Sequence, residues 1–195
     1  MAQPTRAHLA PIPHMPVATT EPDEQRYAEL QLMALDFARR GETAELAAMI
    51  AHGLPVNLAD AKGNSLLMLA SYHGHAETTR RLLQLHADVD RRNRRGQTPL
   101  GGVAFKGYGE IVALLLEHGA DIDADNGGGM TPVMFAAMFG RAKIVEQLKT
   151  HGASLQRRNR LGLTARGMIR LSQIFFRPFR RHSPGPSAVP EFPSP

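Results

Sequence analysis

The sequence predicts an all-α solenoid, a stack of helix-turn-helix units rather than a chain wrapped round one core, and two periodic features carry that prediction. Gly41, Gly74, Gly107 and Gly140 stand 33 residues apart, and Gly63, Gly96, Gly129 and Gly162 keep the same interval. Glycines held in a fixed frame mark sharp turns or positive φ, so one supersecondary unit is repeated and each copy contacts only its neighbours. The second feature is a recurring helix start: Ser65-Leu66-Leu67, Thr98-Pro99-Leu100, Thr131-Pro132-Val133 and, more weakly, Thr164-Ala165. A Ser or Thr side chain there accepts a hydrogen bond from an orphan N–H as N-cap, and proline at the first helical position gives up an N–H that has no partner anyway.

The units follow in order. A longer first helix is expected from Asp23 to Arg40, because Leu30 stands where the first turn glycine would be and the helical pattern reaches back past it. Repeats then run over about 30–62, 63–95, 96–128 and 129–161, and a half-repeat, 162–176, caps the end. Within each, Gly74, Gly107 and Gly140 suit a left-handed residue just past the first helix, whereas Gly127 carries no such demand. The second helix shows an apolar face: Leu82 and Leu83; Ile111, Val112, Leu115 and Leu116; Ile144, Val145 and Leu148. Gly119-Ala120-Asp121 and Gly152-Ala153-Ser154 close it. Gly101 and Gly102 fall inside a first helix whose counterparts carry Met68 with Leu69 and Met134 with Phe135, so that helix should be soft, with a notch between Met68 and Met134.

The segments GQTPLGGVAFKGYGEIVALLLEHGADIDADN and GMTPVMFAAMFGRAKIVEQLKTHGASLQRRN resemble ankyrin repeats, through the Thr-Pro-Leu helix start, the mid-repeat glycine and the Leu-Leu-x-x-Gly-Ala-Asp ending. The resemblance covers roughly Gln25 to Leu171. It departs from the family pattern at Met68, Gly101, Met134 and Gly167, where a His is usual, and at Asn93, Asn126 and Asn159, where Asp is commoner. It implies an ankyrin-repeat α-solenoid with short β-hairpin-like finger turns, and a module that binds a protein partner rather than an enzyme.

Composition fits: 43% apolar and 21% charged residues, with no apolar run long enough to span a bilayer. Eleven of the fourteen prolines lie in 1–22 or 178–195, so 1–22 and 177–195 read as extended tails and 23–176 as the domain. Pro11, Pro13 and Pro16 break any signal-peptide core, and a cytoplasmic location is expected. Without cysteine there is neither disulfide nor thiol chemistry.

Chemistry-bearing motifs are thin. Asp121-Ile122-Asp123-Ala124-Asp125-Asn126-Gly127 has the alternate oxygens of a calcium loop, but Asn126 occupies the glycine place and Pro132 that of the bidentate Glu. Gly107-Tyr108-Gly109 follows no strand and lacks the third glycine of a dinucleotide fingerprint, and no Gly-Lys-Ser/Thr cradles phosphate. His52, His118 and His151 share one repeat position, yet stacked helices lie about 8–10 Å apart, too far for equivalent imidazoles to meet on one zinc. No catalytic residue, metal ligand or cofactor is expected.

What remains is a surface. In the ankyrin arrangement, the ends of the first helices and the finger tips line a concave face, which here assigns Arg39 with Arg40, Tyr72 with His73, Phe105 with Lys106, and Met138 with Phe139, joined by Arg94, Arg95, Gln97 and Met130 on the fingers. Aromatic, Met and Arg side chains are enriched where partners dock. Phe105 is expected to be an exposed anchor, removable with little effect on folding. Fingers alternate in sign: Arg91, Arg92, Arg94 and Arg95, then Asp121, Asp123 and Asp125, then Arg157, Arg158 and Arg160. Neighbouring fingers should therefore pair, and the surplus of Arg favours an acidic partner or phosphate. The alternative, a basic adaptor for nucleic acid or an anionic membrane using the fingers and the C-terminal tail, is weakened by a net charge of only +5 and by the acidic finger that interrupts the arginines. The chain is expected to be a monomer. Ile169, Leu171, Ile174, Phe175, Phe176 and Phe179 read as the half-repeat covering the last helix pair.

Overall fold

The computed structural model describes residues 21–175, with side chains placed over 23–171. The expected tails lie outside these residues, apart from one boundary. α1 (Glu21–Arg40) begins two residues before Asp23 and takes in Pro22, which the first turn of a helix tolerates. After it come α2 (Thr43–Ala51), α3 (Leu66–Tyr72), α4 (Ala76–Gln84), α5 (Pro99–Lys106), α6 (Gly109–Glu117), α7 (Pro132–Met138), α8 (Ala142–Thr150) and α9 (Ala165–Phe175).

The odd-numbered helices pack in one row, α1 on α3, α3 on α5, α5 on α7 and α7 on α9, and α2, α4, α6 and α8 form a second row behind them. Between the rows lie Leu46, Leu66, Leu67, Leu82, Leu100, Ile111, Leu115, Met134 and Leu148, all fully buried. Each such side chain contributes about 1.5–3 kcal/mol by leaving water, and that burial, repeated along the stack, is what joins helices too short to persist alone.

Helix starts follow the sequence with one exception. Ser65, Thr98 and Thr164 accept from the N–H of Met68, Gly101 and Gly167 at 3.1, 3.2 and 3.1 Å. Thr131 does not: the Met134 N–H goes to the Thr131 carbonyl at 3.0 Å, a tightened first turn, and leaves the buried Thr131 hydroxyl unpartnered among the described residues. Second helices end on a histidine cap. His52, His118 and His151 each place Nδ1 2.7–2.9 Å from the carbonyl four residues back, which fixes the proton on Nδ1 and gives a carbonyl that already accepts the histidine's own N–H a second donor. In α4 that cap position is Leu85, and the histidine sits one place later at His86, in the slot of Gly53, Gly119 and Gly152. There it adopts φ 62°, the left-handed region, alone among the described non-glycine residues. His86→Gly is therefore expected to stabilise the fold by about 0.5–1 kcal/mol, the relief of strain exceeding glycine's added chain entropy. Thermal melts of the two proteins check this, and a lower midpoint for the glycine variant would contradict it.

Fingers are shaped by side chains taking backbone N–H groups. Asp60, Asn93 and Asn159 each turn Oδ1 onto the N–H groups two and four residues ahead, at 2.9–3.0 Å, so amide and carboxylate close the turn equally well. One backbone bond then ties finger to finger, Arg94 N–H to the Lys62 carbonyl at 3.0 Å and Arg160 N–H to the Gly128 carbonyl at 2.8 Å. β structure among the described residues amounts to two isolated bridges, Ala59 with Ser65 and Arg158 with Thr164.

The third finger differs. Asn126 turns inward, 4% exposed, and its Oδ1 accepts from Thr98 N–H and Oγ1 at 2.8 and 3.0 Å while Nδ2 donates to the Ala124 carbonyl at 2.9 Å. Asp125 closes the turn instead, onto Gly127 and Gly129 N–H. The cause is Gly101: a Cβ there would lie 2.0 Å from Asn126 Oδ1, so the missing side chain is the space that the amide fills. The expected notch between Met68 and Met134 is thus partly plugged. With this finger reshaped, Gly127 also takes positive φ, 100° against 65° for Gly140, so the expected contrast between the two glycines does not exist.

Finger charges do not pair as expected. Among the described residues, Arg92 donates to the carbonyls of Gly96 and Asp125, Arg157 to the Asp123 carbonyl at 2.9 Å and Arg158 to the Gly162 carbonyl at 2.8 Å. Backbone carbonyls win because the carboxylates are already engaged. Asn57, Asp90 and Asp123 form a ladder, each accepting the N–H of the residue 31 positions on, Asp88, Asp121 and Ser154. Burial raises the Asp90 carboxyl above its ordinary value, with Asp121 and Asp88 adding to the rise against the Asp121 N–H and Arg92.

Close finger stacking makes Gly129 and Gly162 a controlled pair. Both have φ near 75°, but a Cβ on Gly129 would meet Asn159 Cα at 2.9 Å, whereas one on Gly162 meets nothing within 4 Å. Gly129→Ala should cost about 2–3 kcal/mol and Gly162→Ala about 1 kcal/mol, since the second carries backbone strain alone. Equal urea midpoints for the two variants would refute the stacking.

Candidate partner-binding groove

The ends of the first helices and the bases of the fingers enclose an open groove of about 770 Å³. One wall is aromatic, because the helix-end position of each repeat projects to the same side. Tyr72 from α3 and Phe105 from α5 stack with ring centres 6.4 Å apart and planes within 1°, and Phe105 meets Phe139, just past α7, edge to face at 4.4 Å. Tyr72 is 39% exposed and Phe139 40%, beside the exposed Met138. Phe105, between them, is half-buried.

Opposite the rings runs a row of amides. Asn93 Nδ2 donates to Asn64 Oδ1 at 2.9 Å and to Gln97 Oε1 at 3.0 Å, and Asn64 Nδ2 donates to Asp60 Oδ2 at 3.0 Å. Asp60 is the acid of the lining, and Arg39 stands 3.4 Å from it. Burial alone would raise the Asp60 carboxyl, but hydrogen bonds from the Asn64 side chain and from Asn64 and Lys62 N–H, with Arg39 behind them, hold it below its ordinary value. It therefore stays ionised and matched. Lys62, Arg94 and Arg95, all exposed on the rim, have no acidic partner among the described residues, so the groove carries a positive surplus. His73 adds none at neutral pH: desolvation, followed by the positive fields of His75, Lys106 and Arg39, lowers its pKa.

The ankyrin-repeat family model, in a form of three copies, matches residues 32–126 and again 67–159, so that 32–159 of the 195 residues are covered. The chain belongs to the ankyrin-repeat family. An ankyrin repeat protein of Pseudomonas aeruginosa is 58% identical over 45 residues, 23% of this chain and 26% of that protein. Human oxysterol-binding protein-related protein 1 is 39% identical over 95 residues, 48% of this chain and 10% of the relative, and its rat counterpart 40% identical over 74 residues. This chain thus spans about a quarter or less of the length of these relatives. Ankyrin repeats generally mediate protein–protein interaction and are typically non-enzymatic. No described helix is long and apolar enough to cross a membrane.

Of the residues singled out in the sequence, this ankyrin groove gathers Arg39, Tyr72, His73, Arg94, Arg95, Gln97, Phe105, Met138 and Phe139. Three fall outside it. Arg40 is held by Asp36 at 2.8 Å and Glu42 at 3.2 Å, over the Phe37 ring. Lys106 lies 4.9 Å above Tyr72 and 6.0 Å from Tyr108, occupied by π faces. Met130 is half-buried against the core, and its sulfur accepts from Asn159 Nδ2 at 3.3 Å. The groove also contains Lys62 and Asn64, which the sequence reading passed over. The repeat frame held the signal: 33 residues before Arg95 and Gln97 stand Lys62 and Asn64.

Proposed function

We propose that this chain is a non-enzymatic docking module whose concave groove takes an acidic segment of a protein partner. One observation carries the reading: a half-exposed aromatic wall, Tyr72 and Phe139 about Phe105, shares one groove with a rim of cations, Lys62, Arg94 and Arg95, that have no acidic partner among the described residues. Rings that are exposed, yet already ordered by one another, bury area at little further entropic cost, which is the physical profile of an interface anchor. Rim cations speed encounter with an acidic chain and select its sign. Within the amide row Asn93 is filled by Asn64, Gln97 and its own turn, which leaves Gln97 Nε2, unbonded among the described residues, to donate to a partner's backbone. The cytosolic placement expected from the sequence is part of the same proposal.

Site-specific photocrosslinking in the source cell tests the reading, with benzoylphenylalanine at position 72 in the groove and, as control, at the exposed Glu117. A protein adduct from position 72 that is absent from position 117 and lost on Arg94→Glu with Arg95→Glu supports it. The same adduct from both positions, or nucleic acid as the captured species with an affinity that collapses in salt, would refute it.

A further inference from the structure

The two ends of the solenoid carry opposite charge. Residues 21–51 contain seven acids against three arginines, and residues 153–171 contain five arginines and no acid. Terminal units normally close a repeat stack with a plain polar face. Here each end also exposes apolar side chains, Leu32 at 67% and Met33 at α1, Leu161 at 82% and Leu163 on the last finger.

Register makes the two ends complementary. Leu67, Leu100 and Val133 are fully buried, as are Ser71, Ala104 and Ala137, whereas the same frame places Arg166 and Arg170 on α9, both exposed where no described repeat follows. Four 33-residue steps back from Leu161 and Leu163 stand Glu29 and Gln31, beside Leu32. A second copy set on α9 as the next repeat would therefore bring its Glu29–Leu32 turn against Leu161 and Leu163, and its Met33–Asp36 turn against Arg166 and Arg170.

We infer that the chain associates head to tail, the acidic α1 end of one copy docking on the arginine-bearing α9 end of another and continuing the row of first helices across the junction. Such a contact is heterologous, so it leaves a free end on each side and extends beyond a dimer. It engages the ends of the stack and does not depend on the groove reading. Asp36 is already paired with Arg40, so Glu29, in no ion pair among the described residues, is the acid this turn of α1 has to offer. A contact that mixes apolar and charged side chains weakens with salt, because added ions screen its exposed charges.

Sedimentation velocity of the full chain provides the test, over protein concentrations from about 5 to 200 µM at about 50 and 500 mM salt. The mass is expected to rise above the 21.3 kDa of one chain without stopping at a dimer, and association should weaken about tenfold or more at the higher salt. Glu29→Arg, or Arg166→Glu with Arg170→Glu, should each give a monomer with an unchanged thermal melt, because these three side chains are exposed and are in no ion pair among the described residues. Mixing the two variants should restore association, since an intact tail then meets an intact head. A monomeric wild type, whether α9 is covered by residues 176–195 or by another protein, overturns the inference. So does assembly that survives both reversals.

Discussion

A methionine at position 101, the residue that Met68 and Met134 provide at the equivalent place in the flanking repeats, is expected to destabilise the fold by about 2–4 kcal/mol. Helix propensity alone argues the reverse, because replacing an interior glycine gains roughly 1 kcal/mol. The buried amide decides. A side chain on Gly101 would take the space of Asn126 Oδ1 and Cγ, which a Cβ would approach to 2.0 and 2.5 Å. Expelling Asn126 breaks its bonds to Thr98 N–H, Thr98 Oγ1 and the Ala124 carbonyl, and leaves a buried N–H unpaired. Gly102→Ala is the control. Its Cβ would meet only Tyr72 Cδ2 at 3.3 Å, so that variant should gain about 0.5–1 kcal/mol. Urea midpoints of both proteins measure the contrast, and a double-mutant cycle sharpens it: once Asn126→Ala has removed the amide, Gly101→Met should add little cost. A stabilised Gly101→Met protein would remove the plug from the account.

The second large effect separates anchors from their support. Tyr72→Ala and Phe139→Ala should each cost about 2 kcal/mol or more in partner binding and less than about 1 kcal/mol in stability, since both rings are well exposed. Phe105→Ala should behave differently from its sequence reading as a free anchor. Its ring is half-buried, stacked on Tyr72 and edge-on to Phe139, so removing it should lower stability by about 2–3 kcal/mol and loosen both neighbours. Calorimetry against a bound segment, with thermal melts alongside, separates the terms. Equal losses of stability in all three variants would make the wall ordinary core.

These residues show how far the sequence reaches. Repeat period, helix starts at Ser65 and Thr98 and the turn at Gly74 are local, and each leaves a signal within a few residues. The apolar frame of Ile111, Val112 and Leu115 likewise names its buried face by spacing alone. The Asn126 plug is not local: it depends on a glycine 25 positions earlier, and periodicity treats Gly101 as a defect rather than as room for another side chain. Alternating charge predicts that the Arg and Asp fingers pair, yet Arg92 and Arg157 bond carbonyls, because Asp123 is committed to Ser154 N–H and Asp125 to its own turn. Arg40 and Lys106 share the frame of groove residues, but pairing with Asp36 and stacking over Tyr72 turn them aside. Frame gives position, and competition among neighbours gives orientation.

Selection of displayed peptides on the intact chain tests the docking reading most directly, with a counter-selection on Tyr72→Ala with Phe139→Ala. Enriched segments should join two or more acidic residues to an aromatic or aliphatic side chain, lose binding to the ring variant, and weaken on Arg94→Glu with Arg95→Glu. Enriched segments of neutral or basic composition, or acidic ones that bind the ring variant as tightly as the wild type, would contradict it.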